Sequence, residues 1–397
     1  MAQQRKEIQK LMAGAPRLVS ALKSLEEAGH QAHLVGGSVR DALMGKTPSD
    51  FDISTSAHPE VVADIFAAQG RSVHPTGIEH GTQTVVIDEE PFEITTWRQD
   101  VATDGRRATI QFADRLEDDA ERRDFTVNAL YAAADGTVVD PTGRGLADAA
   151  ARRISFVGDA ETRIKEDHLR ILRFYRFAAS HGCGRMPAED LAACETHAEL
   201  VASLPKERIG AEMLKLVCAR DAAGSLEAMQ DAGLTRIILP GMKLEPEALA
   251  DRLGRVAIQE RMLGLAPCPI RRLGALVDEA PQADLKLSNR DTKRFEQVRQ
   301  AAESGAGPAE VGYRFGAEIG EEALVNRYAR GQDEAATAQA LAQMRHGAEQ
   351  VFPVKAADLM DRFKGKALGD ELKRQEASWI KAGFPNSKKA EASLELE

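Results

Sequence analysis

Strand-like segments occur only in the first part of this 397-residue sequence, and that segregation limits the fold more than any other feature. Short runs rich in Val, Ile, Thr and Phe, bounded by Gly, Pro or Asp, predict strands at 33–37, 51–54, 82–88 and 92–97. Segments with helical spacing, each ending at a glycine, lie at 16–29 and 59–70. From about residue 160 the strand-like runs stop and helical spacing continues. This order predicts an α+β fold, with a mixed head domain followed by helices alone.

The length predicts more than one compact unit. Changes in sequence texture divide the chain into four segments, at 1–150, 151–220, 221–345 and 346–397. Within the second segment, residues 165–182 predict one long amphipathic helix that ends at Gly182. Residues 98–121 are polar and charged and show no clear periodicity.

Composition excludes several classes of protein. The net charge of −10 excludes a chain coated in positive potential, so nucleic-acid contacts would need local patches of Lys and Arg. No window approaches the roughly 18 consecutive apolar residues of a membrane span, and the N-terminal residues lack a secretion signal. We therefore expect a cytoplasmic location and no membrane partner. Four scattered cysteines without a CxxC pair predict structural thiols, namely Cys183, Cys194, Cys218 and Cys268.

The segment LVGGSVRDALMGKTPSDFDIST, residues 34–55, carries the first chemical signal. Gly36 and Gly37 follow a predicted strand and precede a helix that should begin near Ser38. Paired glycines let the backbone approach a ligand closely, and a helix N-terminus offers N–H groups to phosphate. A plain structural turn is the alternative explanation.

Asp50 and Asp52 lie two residues apart in the next predicted strand. Period-two alternation would send both carboxylates to one face, with Phe51 and Ile53 packed behind them. Two carboxylates at this spacing suit a pair of divalent cations for phosphoryl or nucleotidyl transfer, and their hard oxygen ligands suit Mg²⁺. The alternative is a polar strand edge without catalytic use.

Together these segments resemble a known family. GGSVRDALMG and DFDISTSA resemble the signature of the tRNA nucleotidyltransferase and bacterial poly(A) polymerase family, class II, within the polymerase-beta-like nucleotidyltransferases. Further motifs occur in the family's order, at 74–86 (HPTGIEHGTQTVV), 93–98 (EITTWR), 104–107 (DGRR), 122–130 (RRDFTVNAL) and 166–179 (EDHLRILRFYRFAA). The resemblance covers the first 180 residues closely and the helical remainder loosely. It implies a nucleotidyltransferase head followed by an all-α neck, body and tail.

The resemblance also implies roles for residues of the head. Asp50 and Asp52 would hold Mg²⁺, and Arg40 and Asp41 would organise the triphosphate side of the pocket. Glu93 would be a third carboxylate near the metal or, equally, a salt-bridged structural acid.

In the motif RRDFTVNAL, Arg123 and Asp124 would contact the nucleotide sugar, supported by Asn128. A site that hydrogen-bonds the 2′-hydroxyl can reject deoxynucleotides. The alternative is a surface charge network.

The motif EDHLR would select the base. On one helix, Asp167 and Arg170 would share a face. Their acceptor and donor would suit the Watson–Crick edges of cytosine and adenine but not those of uracil and guanine. An ordinary helix salt bridge is the alternative. Arg173 and Arg176 continue that face and would meet triphosphate or RNA backbone, or else be solvated.

The resemblance therefore implies an enzyme that adds C, C and A to the 3′ end of tRNA, with CTP and ATP as substrates. Residues 98–121 match the family's flexible loop, which favours complete CCA addition. The sequence after DISTSA lacks the GRRF-like basic segment that marks bacterial poly(A) polymerases, so CCA addition is favoured over polyadenylation. Three alternatives remain: a poly(A) polymerase, an enzyme of the same family that adds only CC or only A, and an RNA-binding protein with an inactive transferase head. In the tail, nine basic residues face five acidic ones between 355 and 389, which suits RNA backbone contact. Candidate contacts are Lys364, Lys366, Lys373 and Arg374.

Overall fold

The computed structural model describes residues 2–48, 50–103 and 108–385. The chain forms two compact units, Met1–Ile238 and Leu239–Glu397. All of the strands found among the described residues lie in the first unit. They are β1 (Ala32–Val35), β2 (Asp52–Thr55), β3 (Ser72–Gly77), β4 (Thr82–Ile87), β5 (Glu90–Thr96), β6 (Arg98–Thr103), β7 (Ala108–Phe112), β8 (Tyr131–Ala132) and β9 (Val138–Val139).

The helices of the first unit precede, separate and follow these strands. They are α1 (Ala2–Gly14), α2 (Pro16–Glu27), α3 (Gly37–Leu43), α4 (Pro59–Ala68), α5 (Leu116–Glu121), α6 (Gly145–Ala151), α7 (Ala160–Glu166), α8 (Leu169–His181), α9 (Ala188–Thr196), α10 (Lys206–Val217), α11 (Ala222–Asp231) and α12 (Leu234–Ile238). Short 3₁₀ turns lie at Ile78–His80, Thr126–Asn128 and Ala198–Ser203. The predicted α+β head with a helical remainder is confirmed.

One mixed sheet organises the first unit. Its seven strands follow the order β3-β4-β5-β2-β1-β8-β9, and β6 and β7 form a separate hairpin. β2 and β5 are parallel, whereas the other neighbours in the sheet are antiparallel. Strict alternation buries one face of β4 and β5, including Val85, Phe92 and Ile94. The other face of β2 and β5 is open to solvent at Asp52 and Glu93.

Helix α2 has an apolar side that helps to cover one face of the sheet. Its apolar residues Leu18, Leu22 and Leu25 recur at helical spacing and are fully buried. Pro16 begins the helix, at a position where its missing N–H costs nothing. α2 packs on β1 and on α4, and α4 packs on β3, β4 and β5. The helices therefore cover one sheet face and leave the carboxylates of β2 and β5 on the other.

The segment 98–121, whose sequence shows no clear periodicity, contains the strands β6 and β7 and helix α5 among its described residues. Two predictions about local structure were wrong. The predicted helix over 165–182 is interrupted at Asp167 and His168, so that α7 and α8 are separate. β2 begins at Asp52, and Asp50 therefore precedes the strand in which both aspartates were expected. The DGRR motif at 104–107 lies outside the described residues.

The second unit contains helices alone among its described residues. They are α13 (Pro246–Met262), α14 (Pro269–Leu276), α15 (Gln282–Leu285), α16 (Asn289–Glu303), α17 (Pro308–Phe315), α18 (Ala317–Ala329), α19 (Ala338–Ala348) and α20 (Lys366–Lys381), with a 3₁₀ turn at Ala356–Leu359. The division of the chain at residue 238 is coarser than the predicted four segments, which stay a prediction.

Helices α17 and α19 approach closely because each presents a glycine to the other. A methyl group at Gly312 would overlap the backbone carbonyl of Met344, and one at Gly347 would overlap that of Ala309. Backbone carbonyls cannot move aside as a flexible side chain can, so any larger residue must separate the two helices.

We expect Gly347→Ala to lower the free energy of unfolding of the second unit by about 2 kcal/mol, because overpacking forces the backbone to shift. The matched control is Gly254→Ala, which lies in α13 with no atom within 4 Å of the added methyl group. That change should stabilise the helix by up to about 1 kcal/mol. Urea unfolding followed by Trp379 fluorescence, in a Trp97→Phe background, measures both. Equal midpoints for the two variants would contradict the close packing.

Among the described residues, none of the helices is both long and apolar enough to cross a membrane. All four cysteines lie within the described residues, and no disulfide joins any two of them.

Candidate active site

The open face of the sheet brings two predicted carboxylates together. Asp52 begins β2 and pairs in parallel register with Glu93 of β5, so the two side chains lie side by side on the same face. Both are exposed, whereas Ile53, the next residue along β2, is fully buried. Asp50 is also exposed, two residues before Asp52. The prediction that Phe51 and Ile53 pack behind the aspartates is confirmed for Ile53, while Phe51 is half-buried.

The electrostatics of Asp52 show that the three carboxylates act on each other. Burial, Glu93 and Asp50 raise the pKa of Asp52 to about 6, and Arg123 opposes them. Repulsion of this kind is relieved when a cation binds between carboxylates. Hard oxygen donors on one open face are the donor set that Mg²⁺ prefers. Asp50, Asp52 and Glu93 therefore fit a divalent cation by their chemistry.

The side chains are not already arranged around such an ion. Within the described part of the chain, the structure contains no group of three or more His, Cys, Asp or Glu residues converged as metal ligands. Carboxylates on adjacent strands reach a shared ion by rotation about their side-chain bonds. No ion pair of Glu93 is found among the described residues, and its two predicted roles, a third metal carboxylate or a salt-bridged acid, stay predictions.

We expect Mg²⁺ to stabilise the first unit against heat. A cation that binds the folded site at ten times its Kd adds about 1.4 kcal/mol to the free energy of unfolding. Thermal unfolding with and without MgCl₂, at constant ionic strength, measures the shift. It should vanish in Asp52→Ala and persist in Glu90→Ala, which removes the acid that begins β5, three residues before Glu93, and that pairs with Arg17. A full shift in Asp52→Ala would place the cation elsewhere.

The glycine pair forms a tight turn between β1 and α3. Gly36 has φ 73° and ψ −123°, a conformation that residues with a side chain rarely adopt. A methyl group there would lie 3.4 Å from Nη1 of Arg123. Gly37 begins α3, one residue earlier than predicted. The turn therefore brings bare backbone against Arg123, next to the end of β1 that pairs with Asp52.

Arg40 and Asp41 on α3 are held from behind. Arg40 is buried and donates to the side chain of Asn128 at 2.6 Å and to Asp41 at 2.9 Å. His181 contacts the same Asp41 oxygen at 3.2 Å. Burial alone would raise the pKa of Asp41, but hydrogen bonds from His181 and Arg40 lower it to about 2. Both predicted residues are thus fixed charges in a network that joins α3 to α8.

Asp124 and Asn128 continue this network. Asn128 donates to Asp124 at 2.9 Å, and the Phe125 backbone N–H donates to the same oxygen at 2.8 Å. The other Asp124 oxygen accepts from Nε of Arg173 at 2.8 Å. Burial raises the pKa of Asp124, but Arg173 and these hydrogen bonds bring it below its ordinary value. The network is internal, and not the surface charge cluster that was the alternative.

Asp167 and Arg170 do not form the predicted pair on one helix face. Asp167 is extended (φ −149°, ψ 106°), and its carboxylate accepts the Leu169 N–H at 3.1 Å. An aspartate that bonds a backbone N–H two residues on competes with the helix, which explains the interruption. Its other oxygen accepts from Arg208 at 2.8 Å. The side chain is 27% exposed and thus still reaches solvent.

Arg170, the second residue of α8, has its guanidinium turned inward. It donates to the backbone carbonyls of Arg163 at 3.0 Å and Arg122 at 2.9 Å, and it pairs with Glu166. Asp167 and Arg170 therefore lie at one helix start, with separate partners.

Arg173 and Arg176 both pair with acids, and the Arg173 side chain is still 31% exposed. Both pair with Glu212 of α10, and Arg173 also binds Asp124. Together with Arg40 they surround the ring of Phe177, with guanidinium carbons 4.2 to 5.3 Å from its centroid. Such contacts are cation–π interactions. The two arginines join the head to α8 and α10.

Two acids of the site were missed from the sequence, although a signal existed. Asp119 lies three residues after Leu116 and one before Ala120, and Glu212 lies three after Ile209 and one before Met213. Each acid therefore occupies an apolar position of an amphipathic helix. Asp119 is 0% exposed and Glu212 is 5% exposed. A charged residue on a buried helix face requires a charged partner, and both acids bind arginines.

The predicted RNA contacts in the second unit lie on its surface. Lys364, Lys366, Lys373 and Arg374 are all exposed. Lys366 and Lys373 are seven residues apart on α20 and share a face, whereas Arg374 pairs with Glu371 at 2.7 Å. Lys388 and Lys389 lie outside the described residues.

The chain is similar to known proteins along most of its length. The family described as "Poly A polymerase head domain" matches residues 32–155, and "Probable RNA and SrmB- binding site of polymerase A" matches residues 186–245. CCA tRNA nucleotidyltransferase 1, mitochondrial, of Danio rerio is 39% identical over 222 residues, which are 55% of this chain. The match covers 51% of that relative, so the chain spans about half of the relative's length. The Mus musculus relative of the same name is 31% identical over 384 residues, 91% of this chain and 87% of the relative.

A solved structure has the same fold. The crystal structure of the Bacillus stearothermophilus CCA-adding enzyme in complex with CTP superposes with a TM-score of 0.77 at 28% identity, over 94% of this chain and 95% of that one. Since the zebrafish and mouse relatives are named mitochondrial, the cytoplasmic location stays a prediction.

Proposed function

Because the chain belongs to the family of CCA-adding tRNA nucleotidyltransferases, we propose that it adds C, C and A to the 3′ end of tRNA from CTP and ATP, without a nucleic-acid template. The tRNA 3′-hydroxyl attacks the α-phosphate of the bound nucleotide, and pyrophosphate leaves. The observation that carries this proposal is the pairing of Asp52 with Glu93 on an open sheet face, beside the Gly36 turn and Arg123.

Magnesium would be held by Asp50 and Asp52, with Glu93 as a third carboxylate. When bound, two such ions lower the pKa of the attacking hydroxyl and neutralise charge on the leaving phosphates. Desolvation, together with repulsion by Glu93 and Asp50, raises the pKa of Asp52, and a cation bound at this place would relieve both. Fixed cations of the chain lie nearby, since Arg123 acts electrostatically on Asp52 and Arg40 is anchored on α3.

Nucleotide binding uses the residues around the glycine turn. A bare backbone at Gly36 admits the triphosphate closely, and Arg40 holds the helix that follows. Arg123 faces this turn, which supports its contact with the ribose or the phosphates. Asp124 accepts a hydrogen bond from Arg173, and Asn128 accepts one from Arg40. Through these bonds Asp124 and Asn128 orient the pocket from behind.

Asp167 and Arg170 select the base. The Asp167 carboxylate keeps lone pairs beyond its bonds to Leu169 and Arg208 and can accept from the exocyclic amino group of cytosine or adenine. Arg170 has to exchange one of its backbone carbonyl partners for the base, since its guanidinium is turned inward. Selection by two protein side chains explains how the base is chosen without a template.

The tRNA would extend along the helical part of the chain. The exposed lysines of α20 and the turn before it support phosphate contacts, which fix position but carry no sequence information.

One assay separates this proposal from its rivals. tRNA that ends at the discriminator base is incubated with CTP, with ATP and with both, and the products are sequenced. CCA addition predicts two cytidines with CTP alone, then one adenosine and a halt when both are present. Refusal of CTP with a run of adenosines would indicate a poly(A) polymerase, as the name of the matching head family allows. No incorporation would indicate an inactive head.

A further inference from the structure

Asp119 is a wholly buried acid at the junction of three elements of the head. Its Oδ2 atom accepts from the Tyr131 hydroxyl at 2.7 Å, from Ser54 at 3.2 Å and from Arg123 at 3.2 Å. Its Oδ1 atom accepts from Nη2 and Nε of Arg122 at 2.6 and 2.9 Å. One carboxylate thus ties α5 to β2, two residues from Asp52, and to β8.

This carboxylate stays charged although it is buried. Burial alone would raise its pKa, but the guanidinium groups of Arg123 and Arg122 and the hydroxyl of Tyr131 hold the pKa of Asp119 well below its ordinary value. A buried carboxylate with two arginines and a hydroxyl has its lone pairs satisfied, so the arrangement is rigid.

Arg123 is held at two points and presented at a third. Its Nε donates to the Tyr131 hydroxyl at 3.1 Å, and its Nη2 binds Asp119. Its guanidinium carbon Cζ lies 5.3 Å from the ring centroid of Tyr131. Its Nη1 lies against Gly36. The Arg123 side chain is 18% exposed, whereas that of Asp119 is 0% exposed. The inner nitrogens are thus fixed, and the outer one lies against the backbone of the Gly36 turn.

We infer that Asp119, together with Tyr131, is the positioning residue that aims the Arg123 guanidinium at the nucleotide sugar and thereby sets the preference for ribonucleotides. The inference rests on the proposed function, because it requires that Arg123 contacts the nucleotide. Asp119 and Tyr131 touch no substrate themselves and act through Arg123 alone. A guanidinium that loses one of two anchors occupies several orientations, and a 2′-hydroxyl then gains less from it.

The test uses two buried tyrosines in the full chain. Tyr131→Phe removes the hydroxyl that joins Asp119 to Arg123 and keeps the ring. Tyr175→Phe is the matched control, since Tyr175 is also fully buried and its hydroxyl has no hydrogen-bond partner among the described residues. Steady-state incorporation of CMP and dCMP into tRNA lacking CCA gives kcat and KM for each nucleotide.

Tyr131→Phe should raise the KM for CTP about tenfold and lower the CTP-to-dCTP ratio of kcat/KM about tenfold, with the KM for tRNA unchanged. Asp119→Asn should shift the same ratio further in the same direction. Tyr175→Phe should match the wild type in every constant. An unchanged ratio in Tyr131→Phe, or a loss spread equally over CTP, dCTP and tRNA, overturns the inference. A wild-type chain that incorporates no CMP overturns instead the proposed function on which it rests.

Discussion

Replacing Asp52 with alanine should lower the rate constant of CMP transfer to tRNA by about 10³- to 10⁴-fold, which corresponds to roughly 4 to 5.5 kcal/mol of transition-state stabilisation. The charges of Glu93, Asp50 and Arg123 all act on Asp52 and affect its pKa. Without it, the remaining carboxylates have no partner at the start of β2 with which to hold a cation. Single-turnover measurement with saturating tRNA and CTP isolates the transfer step.

The fold should survive this substitution. Glu93 and Asp50 already repel Asp52, so alanine removes a repulsion, and the exposed position leaves no cavity. Affinity for tRNA, measured by filter binding, should stay within about threefold of wild type because Asp52 makes no phosphate contact in the proposed function. Glu90→Ala is the matched control at the first residue of β5, and we expect its rate within about twofold of wild type, as for surface substitutions generally. Wild-type transfer by Asp52→Ala would remove the assignment of this acid to catalysis.

The second large effect concerns base selection. We expect Asp167→Asn to increase the efficiency of UTP incorporation relative to CTP by about 10²- to 10³-fold, because sites built on hydrogen bonds reject mismatched analogues by such factors. A carboxylate accepts from the amino group of cytosine and repels the carbonyl of uracil, whereas an amide can accept from the first and donate to the second. Competition between CTP and UTP on tRNA lacking CCA, followed by sequencing, measures the ratio.

Asparagine is the informative choice at this position. The Asp167 carboxylate accepts the Leu169 N–H at the start of α8, and asparagine caps helices about as well as aspartate does. Loss of the helix start therefore does not explain a change in selectivity. Glu161→Ala removes an exposed acid of α7 that pairs with Lys165, and it should leave the CTP-to-UTP ratio unchanged. An unaltered ratio in Asp167→Asn would show that another group recognises the base.

Local patterns predicted the elements on which the site is built. Alternation in β4 and β5 and the glycines before α3 were evident because each depends on neighbours along the chain. The limits of the four predicted strands were correct within two residues, and Asp52 and Glu93 were both named as candidates. Their direct pairing could not be predicted, because register between parallel strands forty residues apart depends on the whole sheet.

The contacts that shape the pocket join residues far apart in the chain, so local sequence patterns could not predict them. Arg40 binds Asn128 across 88 residues, and Arg173 binds Asp124 across 49. The break at Asp167 depends on a side chain that bonds its own backbone, which helical periodicity does not reveal. Arg173 and Arg176 were expected on a helix face toward phosphate or solvent, but Glu212, an acid on a buried helix face, turns them inward.

The decisive experiment is a crystal structure of this chain with CTP and Mn²⁺, from diffraction data collected at the manganese edge. We expect anomalous peaks within bonding distance of carboxylate oxygens of Asp50 and Asp52, with the triphosphate against the Gly36 turn and the base beside Asp167. Manganese bound away from both aspartates, or a cytosine remote from Asp167 and Arg170, would contradict it.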